Sequence, residues 1–207
     1  MTAQAFWDRH ARKYAKQPIA DQTAYEEKLR RVAALLRPTD RVLEIGCGTG
    51  GTARHLAQVV GQITATDLSA EMIRIAKSQA TANTLSSPRF LRAEAEKHLG
   101  EQPFDAVCAF SLLHLVDDVP TVLDAVFRQV KPGGYFLSKT VCLKDGPSWM
   151  QFMVRLLMAA GIAPKVTPVS RAKLARQLTS AGFEILETCY LGKKRINPFI
   201  VARRPAV

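Results

Sequence analysis

The sequence predicts an α/β fold in which a mainly parallel sheet is covered by helices on both faces. Short apolar runs alternate with longer segments of helical periodicity, a pattern typical of parallel strands joined by crossover helices. Two apolar stretches near the carboxyl end follow each other without a helix between them, so we expect a hairpin that adds an antiparallel last strand. The predicted strands span residues 42–45, 63–67, 89–93, 104–110, 135–141, 183–191 and 198–204.

Capping residues and prolines predict where the helices begin and end. Thr2, Ser69 and Ser170 each precede a helical segment, and their side chains can accept a hydrogen bond from its first turn. Thr23-Ala24-Tyr25-Glu26 has the pattern of a capping box, and a proline ends each of the first two helices. The predicted helices span residues 2–16, 23–37, 51–60, 69–82, 119–130, 147–160 and 170–181.

A glycine-rich turn after the first strand predicts a site for an adenosine-containing cofactor. The apolar run Val42-Leu43-Glu44-Ile45 is followed by four glycines within six residues and then by a predicted helix. Glycine lets the backbone turn tightly and approach a ligand closely. The free N–H groups at the helix start then face that ligand.

The glycine spacing fits two cofactors. Gly46, Gly48 and Gly51 satisfy the dinucleotide pattern, whereas Gly46, Gly48 and Gly50 satisfy the pattern of S-adenosylmethionine (SAM) enzymes. Asp67 lies 21 residues after Gly46, where it can accept both ribose hydroxyls under either interpretation. NAD and SAM therefore both remain open at this point.

Glu44 favours SAM. It lies two residues before the first glycine, where a strand that binds a dinucleotide normally carries an apolar residue. A carboxylate attracts the sulfonium and the methionine ammonium of SAM, whereas it would repel a pyrophosphate.

Five motifs occur in order along the chain: VLEIGCGTG, TATDLS, FDAVCAFSLLHLVDD, FRQVKPGGYFLSKT and SAGF. Together they resemble the motifs of the class I SAM-dependent methyltransferases, and most closely those of the small-molecule group of the ubiquinone and menaquinone biosynthesis methyltransferases. The resemblance covers residues 40–141 closely and residues 168–204 loosely. It implies a Rossmann-like, doubly wound, seven-stranded sheet with SAM as the cofactor and S-adenosylhomocysteine as the product.

We expect one methyltransferase domain over residues 1–207. The apolar helix near residues 147–161 has three interpretations: a lid or wall of a hydrophobic substrate pocket, an ordinary core helix, or a membrane contact. The expected parts are an N-terminal helical cap (1–38), a cofactor-binding core (40–141), a helical lid or insertion (142–168), and a C-terminal helix with a hairpin (169–207).

The resemblance implies roles for twelve cofactor-binding residues. Asp67 is expected to accept the ribose hydroxyls, and Leu68 and Met72 to cover the adenine, although Met72 is also explained as a core residue. Glu94 occupies the position where the family usually has aspartate. Its side chain is longer, which alters the geometry of the expected contact with the adenine amino group. The expected residues are Glu44, Gly46, Cys47, Gly48, Gly50, Asp67, Leu68, Met72, Glu94, Ala95, Phe110 and Ser111.

The catalytic residue is unknown, and His114 and Tyr14 are the two candidates. His114 matches the first histidine of a frequent Leu-His-His sequence in the family, and an unperturbed histidine titrates near neutrality. A packed or hydrogen-bonded structural histidine is the favoured explanation. Tyr14 resembles the tyrosine that caps the SAM site in this family, but Ala15 follows it here instead of aspartate. A lid over the site and a simple aromatic residue of an amphipathic helix both remain open, and the lid is favoured.

The net charge of +11 is unevenly distributed. Residues 42–138 hold 8 basic and 10 acidic residues, whereas residues 139–207 hold 12 and 3. Such a basic region can attract a small anionic substrate, an acidic membrane surface or RNA, and the run Lys193-Lys194-Arg195 fits the last two. A solvated basic surface is the plainer explanation.

Other sequence features argue against metal chemistry and secretion. The four cysteines, at positions 47, 108, 142 and 189, lack the paired spacing of zinc or thioredoxin-like sites, so we expect no metal. No run of 18 apolar residues predicts a membrane span. No apolar signal region follows the N-terminus, and we therefore expect a cytoplasmic location.

Several acceptors and two other classes of function remain open. An Asn-Pro-Pro-Tyr-type motif is absent after the fourth strand, and no Pro-Cys pair occurs, which argues against methylation of DNA amino groups and of cytosine C5. The remaining acceptors are a small lipophilic or anionic molecule, a phospholipid and RNA. A non-catalytic SAM-fold binding module and an NAD-dependent enzyme are the alternatives, and the oligomeric state is not predicted.

Overall fold

The computed structural model describes residues 2–80, 87–100, 102–192 and 195–206 of the 207-residue chain. The helices are α1 (Ala3–Ala15), α2 (Gln22–Leu35), α3 (Gly51–Leu56), α4 (Ala70–Ser78), α5 (Val119–Gln129), α6 (Ser148–Ala159) and α7 (Arg171–Ser180), with a short 3-10 helix at Leu143–Asp145. The strands are β1 (Arg41–Ile45), β2 (Gln62–Asp67), β3 (Arg89–Arg92), β4 (Phe104–Phe110), β5 (Val130–Lys139), β6 (Glu184–Tyr190) and β7 (Pro198–Arg203).

The seven strands form one sheet in the order β3-β2-β1-β4-β5-β7-β6. All neighbouring pairs are parallel except those of β7, which runs antiparallel to both β5 and β6. The predicted Rossmann-like sheet with an antiparallel last strand is therefore confirmed. Strand order reverses at β1 and β4, and ligands of open α/β sheets bind beyond the carboxyl ends of the strands at such a switch point.

The core has one apolar layer on each face of the sheet, because successive side chains of a strand point to opposite faces. Val42 of β1 packs in one layer together with residues of α2, α3 and α4. Leu43 packs in the other layer together with residues of α5 and α7. Strand β1 is therefore packed on both faces, and the glycine turn extends from its carboxyl end.

The predicted capping box at Thr23 is wrong. Asp21 is the N-cap of α2, and its carboxylate accepts a hydrogen bond from the Ala24 N–H at 2.9 Å. Glu26, which the capping box needed, instead accepts a hydrogen bond from the Gln22 side chain at 2.7 Å. An aspartate two residues earlier supplies a strong cap, and the helix starts at Gln22, one residue sooner than predicted.

Several predicted ends differ from the structure. Helix α4 ends at Ser78 rather than at residue 82, which itself lies outside the described residues, and three other differences have local reasons. Helix α2 stops at Leu35 rather than at Arg37, since the residue before a proline is disfavoured in helical conformation. Helix α3 stops at Leu56 rather than at Val60, and the next residues make tighter turns. Strand β5 begins at Val130 rather than at Tyr135, because the Lys-Pro-Gly-Gly segment is an irregularity within the strand.

Helix α6 lies on the surface, and none of its residues is buried. Its half-buried side carries Met150, Val154 and Met158, and the Met150 side chain lies against Gly146. The interpretation of residues 147–161 as an ordinary core helix is therefore wrong.

Asp8 fixes α1 to the start of α4. The Ser69 hydroxyl donates to Asp8 Oδ1 at 2.6 Å, and the Glu71 N–H donates to the same oxygen at 3.2 Å. The Ser69 oxygen also accepts from the Met72 N–H, as an N-cap does. The Ser69 hydrogen bond lowers the pKa of Asp8, so this carboxylate stays charged at neutral pH. Helix α1 is thereby held close to the end of β2.

Candidate active site

The glycine turn follows β1 in a conformation that suits SAM rather than the dinucleotide spacing. Gly46, Gly48 and Gly50 have φ values of 67°, 55° and 76°, whereas Gly51 is not among the positive-φ glycines. The left-handed positions therefore coincide with the glycine spacing of SAM enzymes. A Cβ at Gly50 would lie 2.6 Å from the Phe90 ring, so this turn is also tightly packed.

Asp67 ends β2 and braces the glycine turn. One carboxylate oxygen accepts from the Gly48 N–H at 2.9 Å, and the other accepts from the Ser69 N–H at 2.9 Å. Burial raises the pKa of Asp67, and the two N–H groups oppose that shift. Each oxygen keeps a further acceptor site, because an ionised carboxylate has about four. The arrangement can bind a pair of neighbouring hydroxyls.

Glu44 is a buried carboxylate directly before the turn. It is 2% exposed, and its Oε2 has no hydrogen-bond partner among the described residues. Burial raises the pKa of Glu44, while the positive charge of Lys28 opposes the rise. A buried acceptor without a donor is unfavourable, so this oxygen is suited to a cationic N–H donor of a ligand.

Lys28 is a site residue that the sequence patterns missed. Its Nζ donates to Thr52 Oγ1 at 2.9 Å and lies 4.3 Å from the Phe110 ring centroid and 4.5 Å from that of Tyr25. Burial lowers the pKa of Lys28, and the charge of Glu44 opposes the decrease. A buried amine and a buried carboxyl group, whose charges oppose each other's pKa shift, thus lie near the start of α3.

A signal for Lys28 was present in the sequence. Ala24, Lys28 and Val32 recur at intervals of four and are all buried along one side of α2. A lysine within an apolar helical stripe is unusual, since lysine is almost never fully buried unless it is paired. The Tyr25 hydroxyl lies beside this group, 3.4 Å from where a Cβ of Gly51 would be.

Tyr14 extends from α1 over the glycine turn. Its ring comes within 3.6 Å of where a Cβ of Gly48 would be, and it meets the Trp7 ring edge-to-face at 6.0 Å. Tyr14 is 47% exposed. Partial burial raises its pKa, as do the charges of Asp67 and Glu44, so the phenol is neutral.

The loop after β4 contains strained backbone. Among the described residues, Ser111 is the one non-glycine residue with positive φ, at 55°. Its N–H donates to the Lys139 carbonyl at 2.7 Å, which links the ends of β4 and β5. Leu112 lies against Gly46, where a Cβ would be 2.7 Å from Leu112 Cδ1. Such strain is common at ligand sites, and here it places the loop against the glycine turn.

The predicted adenine residues lie at the ends of β2 and β3. The Ala93 N–H donates to the Asp67 carbonyl, which places exposed Glu94 and half-buried Ala95 just beyond Asp67. Leu68 is half-buried. Met72 is buried in a small cluster with residues of α1, which is the packing that a core residue would make.

His114 lies beyond the β4 loop, and burial lowers its pKa to about 4. Its Nδ1 is buried without a partner among the described residues, and its carbonyl accepts from the Thr167 N–H. The imidazole is therefore neutral at physiological pH and weakly basic. These surroundings favour a structural role, and general-base catalysis by His114 stays a prediction.

The remaining predictions concern Cys47, metal ligands, membrane spans and the basic run. The Cys47 N–H donates to the Thr66 carbonyl at 2.8 Å, and burial raises the pKa of its thiol. Over the described ranges, no group of three or more potential metal ligands occurs. In the same part of the chain, no helix is long and apolar enough to cross a membrane. Lys193 and Lys194 of the predicted basic run lie outside the described residues.

A glycine turn after β1 and an acid after β2, on a sheet of this order, define a class I SAM-dependent methyltransferase domain. Residues 12–188 match the family described as methyltransferase domain, and the chain belongs to that family. Its cofactor is SAM, which decides the choice that the glycine spacing had left open.

Curated relatives and solved structures agree with this assignment. The chain is 32% identical to the biotin biosynthesis bifunctional protein BioCD of Bordetella avium over 79% of its own length and 35% of the relative's. It is 30% identical to a ubiquinone biosynthesis O-methyltransferase of Klebsiella pneumoniae over 61% of its own length and 52% of the relative's. The chain thus spans between a third and about half of these relatives.

The fold is similar to that of the magnesium protoporphyrin IX methyltransferase of Synechocystis, solved with bound S-adenosylhomocysteine. The TM-score is 0.73 at 16% identity, over 98% of this chain and 95% of the other. At this identity the likeness shows the fold alone.

Proposed function

We propose that this domain transfers a methyl group from SAM to a small lipophilic or anionic acceptor. The observation that carries the proposal is the buried pair of Glu44 and Lys28 beside the glycine turn. Glu44 offers an unpartnered oxygen for the methionine ammonium, and Lys28 offers a buried cation for the methionine carboxylate. Charged partners make roughly twice the contribution of neutral ones, so the two residues together would select a zwitterion.

In this proposal the remaining parts of the cofactor, its ribose, adenine and methionine chain, contact residues on either side of the glycine turn. Asp67 would accept the ribose hydroxyls while it keeps its bonds to Gly48 and Ser69. In this proposal Glu94 and Ala95 meet the adenine edge and half-buried Leu68 covers its face, while Met72 packs behind it against α1. Phe110 and Ser111 would line the methionine chain, and the backbone of the turn would approach the cofactor closely. The backbone contacts would come from Gly46, Cys47, Gly48 and Gly50.

The protein's part in the reaction is mainly to bind, align and exclude water. Bound SAM supplies an electrophilic methyl group that moves to the acceptor by in-line displacement. Alignment of two reactants lowers a barrier by about 7–11 kcal/mol, so an already activated nucleophile needs no dedicated base. Tyr14 would cover the site from α1. His114, neutral and weakly basic, would help only an acceptor that must lose a proton.

The acceptor class rests on the charge and polarity around the site. The region 139–207 is strongly basic, and Lys139 at the end of β5 is partly buried, which lowers its pKa. The exposed apolar side of α6 belongs to the segment that follows β5, and the carboxyl end of β5 lies at the same edge of the sheet as the glycine turn. A relative named for ubiquinone biosynthesis fits a lipophilic acceptor. A phospholipid shares these properties, whereas RNA does not need the apolar surface.

The test incubates purified protein with tritiated-methyl SAM and a cytosol-plus-membrane extract, followed by organic and aqueous partition. We expect enzyme-dependent label in the organic phase, and a phosphate assay separates a phospholipid from another lipophilic acceptor. Label confined to the aqueous phase and released by nuclease would assign RNA instead. Absence of label, with SAM still bound, would support a non-catalytic binding module.

A further inference from the structure

Helix α6 carries an apolar stripe on the side that faces away from the protein. Trp149 is 68% exposed and Leu156 is 49% exposed. The exposed apolar residues recur at intervals of three and four, which is the spacing of one helix face. The stripe consists of Trp149, Phe152, Met153, Leu156 and Leu157, and Ile162 extends it beyond the helix.

This face is unusual for a helix of a folded domain. Amphipathic helices turn their apolar side inward, whereas α6 keeps a half-buried apolar side inward and a second apolar side in solvent. A contiguous exposed apolar patch marks a surface that another body covers. A 12-residue helix is about 18 Å long, which suits contact along its length but not a membrane crossing.

The charge around α6 identifies the kind of partner. Residues 142–176 hold six basic residues and one acidic residue. Lys144, Arg155 and Lys173 are exposed, and Lys165 pairs with Asp117 at the surface. A second copy of this chain would bring the same positive charge and repel it. An anionic lipid surface attracts each such residue by about 1 kcal/mol, and its hydrocarbon boundary accommodates the apolar stripe.

We propose that α6 docks this protein onto the surface of an anionic bilayer, with Trp149, Phe152 and Leu156 inserted at the headgroup boundary. The helix follows β5, whose carboxyl end lies at the same edge of the sheet as the glycine turn. Docking there would bring that edge toward the membrane. The proposal does not depend on methyl transfer, because vesicle binding is measured without SAM or an acceptor.

Vesicle sedimentation tests the docking. Phosphatidylcholine vesicles are compared with vesicles that also contain phosphatidylglycerol. We expect the wild type to sediment with the anionic vesicles and to be released by salt. The double variant Phe152→Ser/Leu156→Ser should bind the anionic vesicles more weakly by a factor of at least roughly ten, since each of the two side chains buries apolar surface in the bilayer. Leu186→Ser is the matched control, because Leu186 is a 44% exposed leucine on β6; this variant should bind like the wild type.

Fluorescence of Trp149 provides an independent measurement. The chain has two tryptophans, so a Trp7→Phe background isolates Trp149. Its emission should shift to shorter wavelength with anionic vesicles and be quenched by brominated lipids. Circular dichroism and thermal melting should show all variants folded, since α6 buries no residue.

Four outcomes would overturn the proposal. The first is that neither vesicle composition binds the wild type. The second is that the double variant binds as the wild type does. The third is a concentration-dependent dimer that the double substitution abolishes, which would assign the stripe to a second copy. The fourth is RNA binding that the same substitution abolishes, without vesicle binding.

Discussion

Replacement of Asp67 by asparagine should weaken SAM binding while the fold survives. The substitution keeps the shape of the side chain, and its oxygen can still accept from either Gly48 or Ser69. The new amide group cannot accept a hydroxyl, so one ribose bond is lost and the other loses its charge. A hydrogen bond to a charged group contributes about 1.5–3 kcal/mol.

The expected loss in affinity is at least about tenfold, which corresponds to about 1.4 kcal/mol. Isothermal titration with SAM measures it, with thermal melting in parallel to confirm folding. Asp124→Asn is the control, because Asp124 lies exposed on α5, away from the turn. An Asp67→Asn variant that is folded and binds SAM with wild-type affinity would refute the role of this carboxylate.

Three further predictions test separate parts of the site. Gly50→Ala should lower the free energy of unfolding by roughly 2–4 kcal/mol, and Gly100→Ala by about 1 kcal/mol, as measured by denaturant unfolding. Both glycines have positive φ, but only Gly50 faces the Phe90 ring. Equal losses in the two variants would contradict the packed turn. Lys28→Met should weaken SAM but not 5′-methylthioadenosine, which lacks the carboxylate; equal weakening of both would remove Lys28 from the methionine site. The pKa of His114 is lowered to about 4 in the folded protein, so its contribution to the free energy of unfolding is present above pH 6.5 and is lost as the pH falls toward 4, by at most roughly 3 kcal/mol. His114→Gln should therefore reduce the loss of stability between pH 6.5 and 4 in unfolding experiments. An unchanged dependence on pH would contradict the lowered pKa.

The sequence predicted the parts of the fold that depend on local pattern. All seven strands and their directions follow from apolar runs and from the helices between them. The errors are at ends, where competing local interactions decide. Asp21 caps α2 in place of Thr23 because it offers a carboxylate to Ala24, and the Lys-Pro-Gly-Gly segment remains within β5 because its neighbours keep strand pairing on both sides.

The site was only partly predictable because some of its contacts join distant elements. The glycine turn and Asp67 belong to two motifs that are close together in the sequence, so their spacing identified them. Lys28 lies on α2 and meets Thr52 and Phe110 only in the folded chain. The exposed side of α6 could not be separated from a core face by periodicity, since both sides of that helix are apolar.

Parallel isothermal titration of the wild-type protein with SAM and with NADH tests the central claim most directly. The buried carboxylate of Glu44 and the left-handed glycines at 46, 48 and 50 predict one SAM bound per chain and no detectable NADH binding. Binding of NADH without SAM would contradict the assignment of this site to a methyltransferase cofactor.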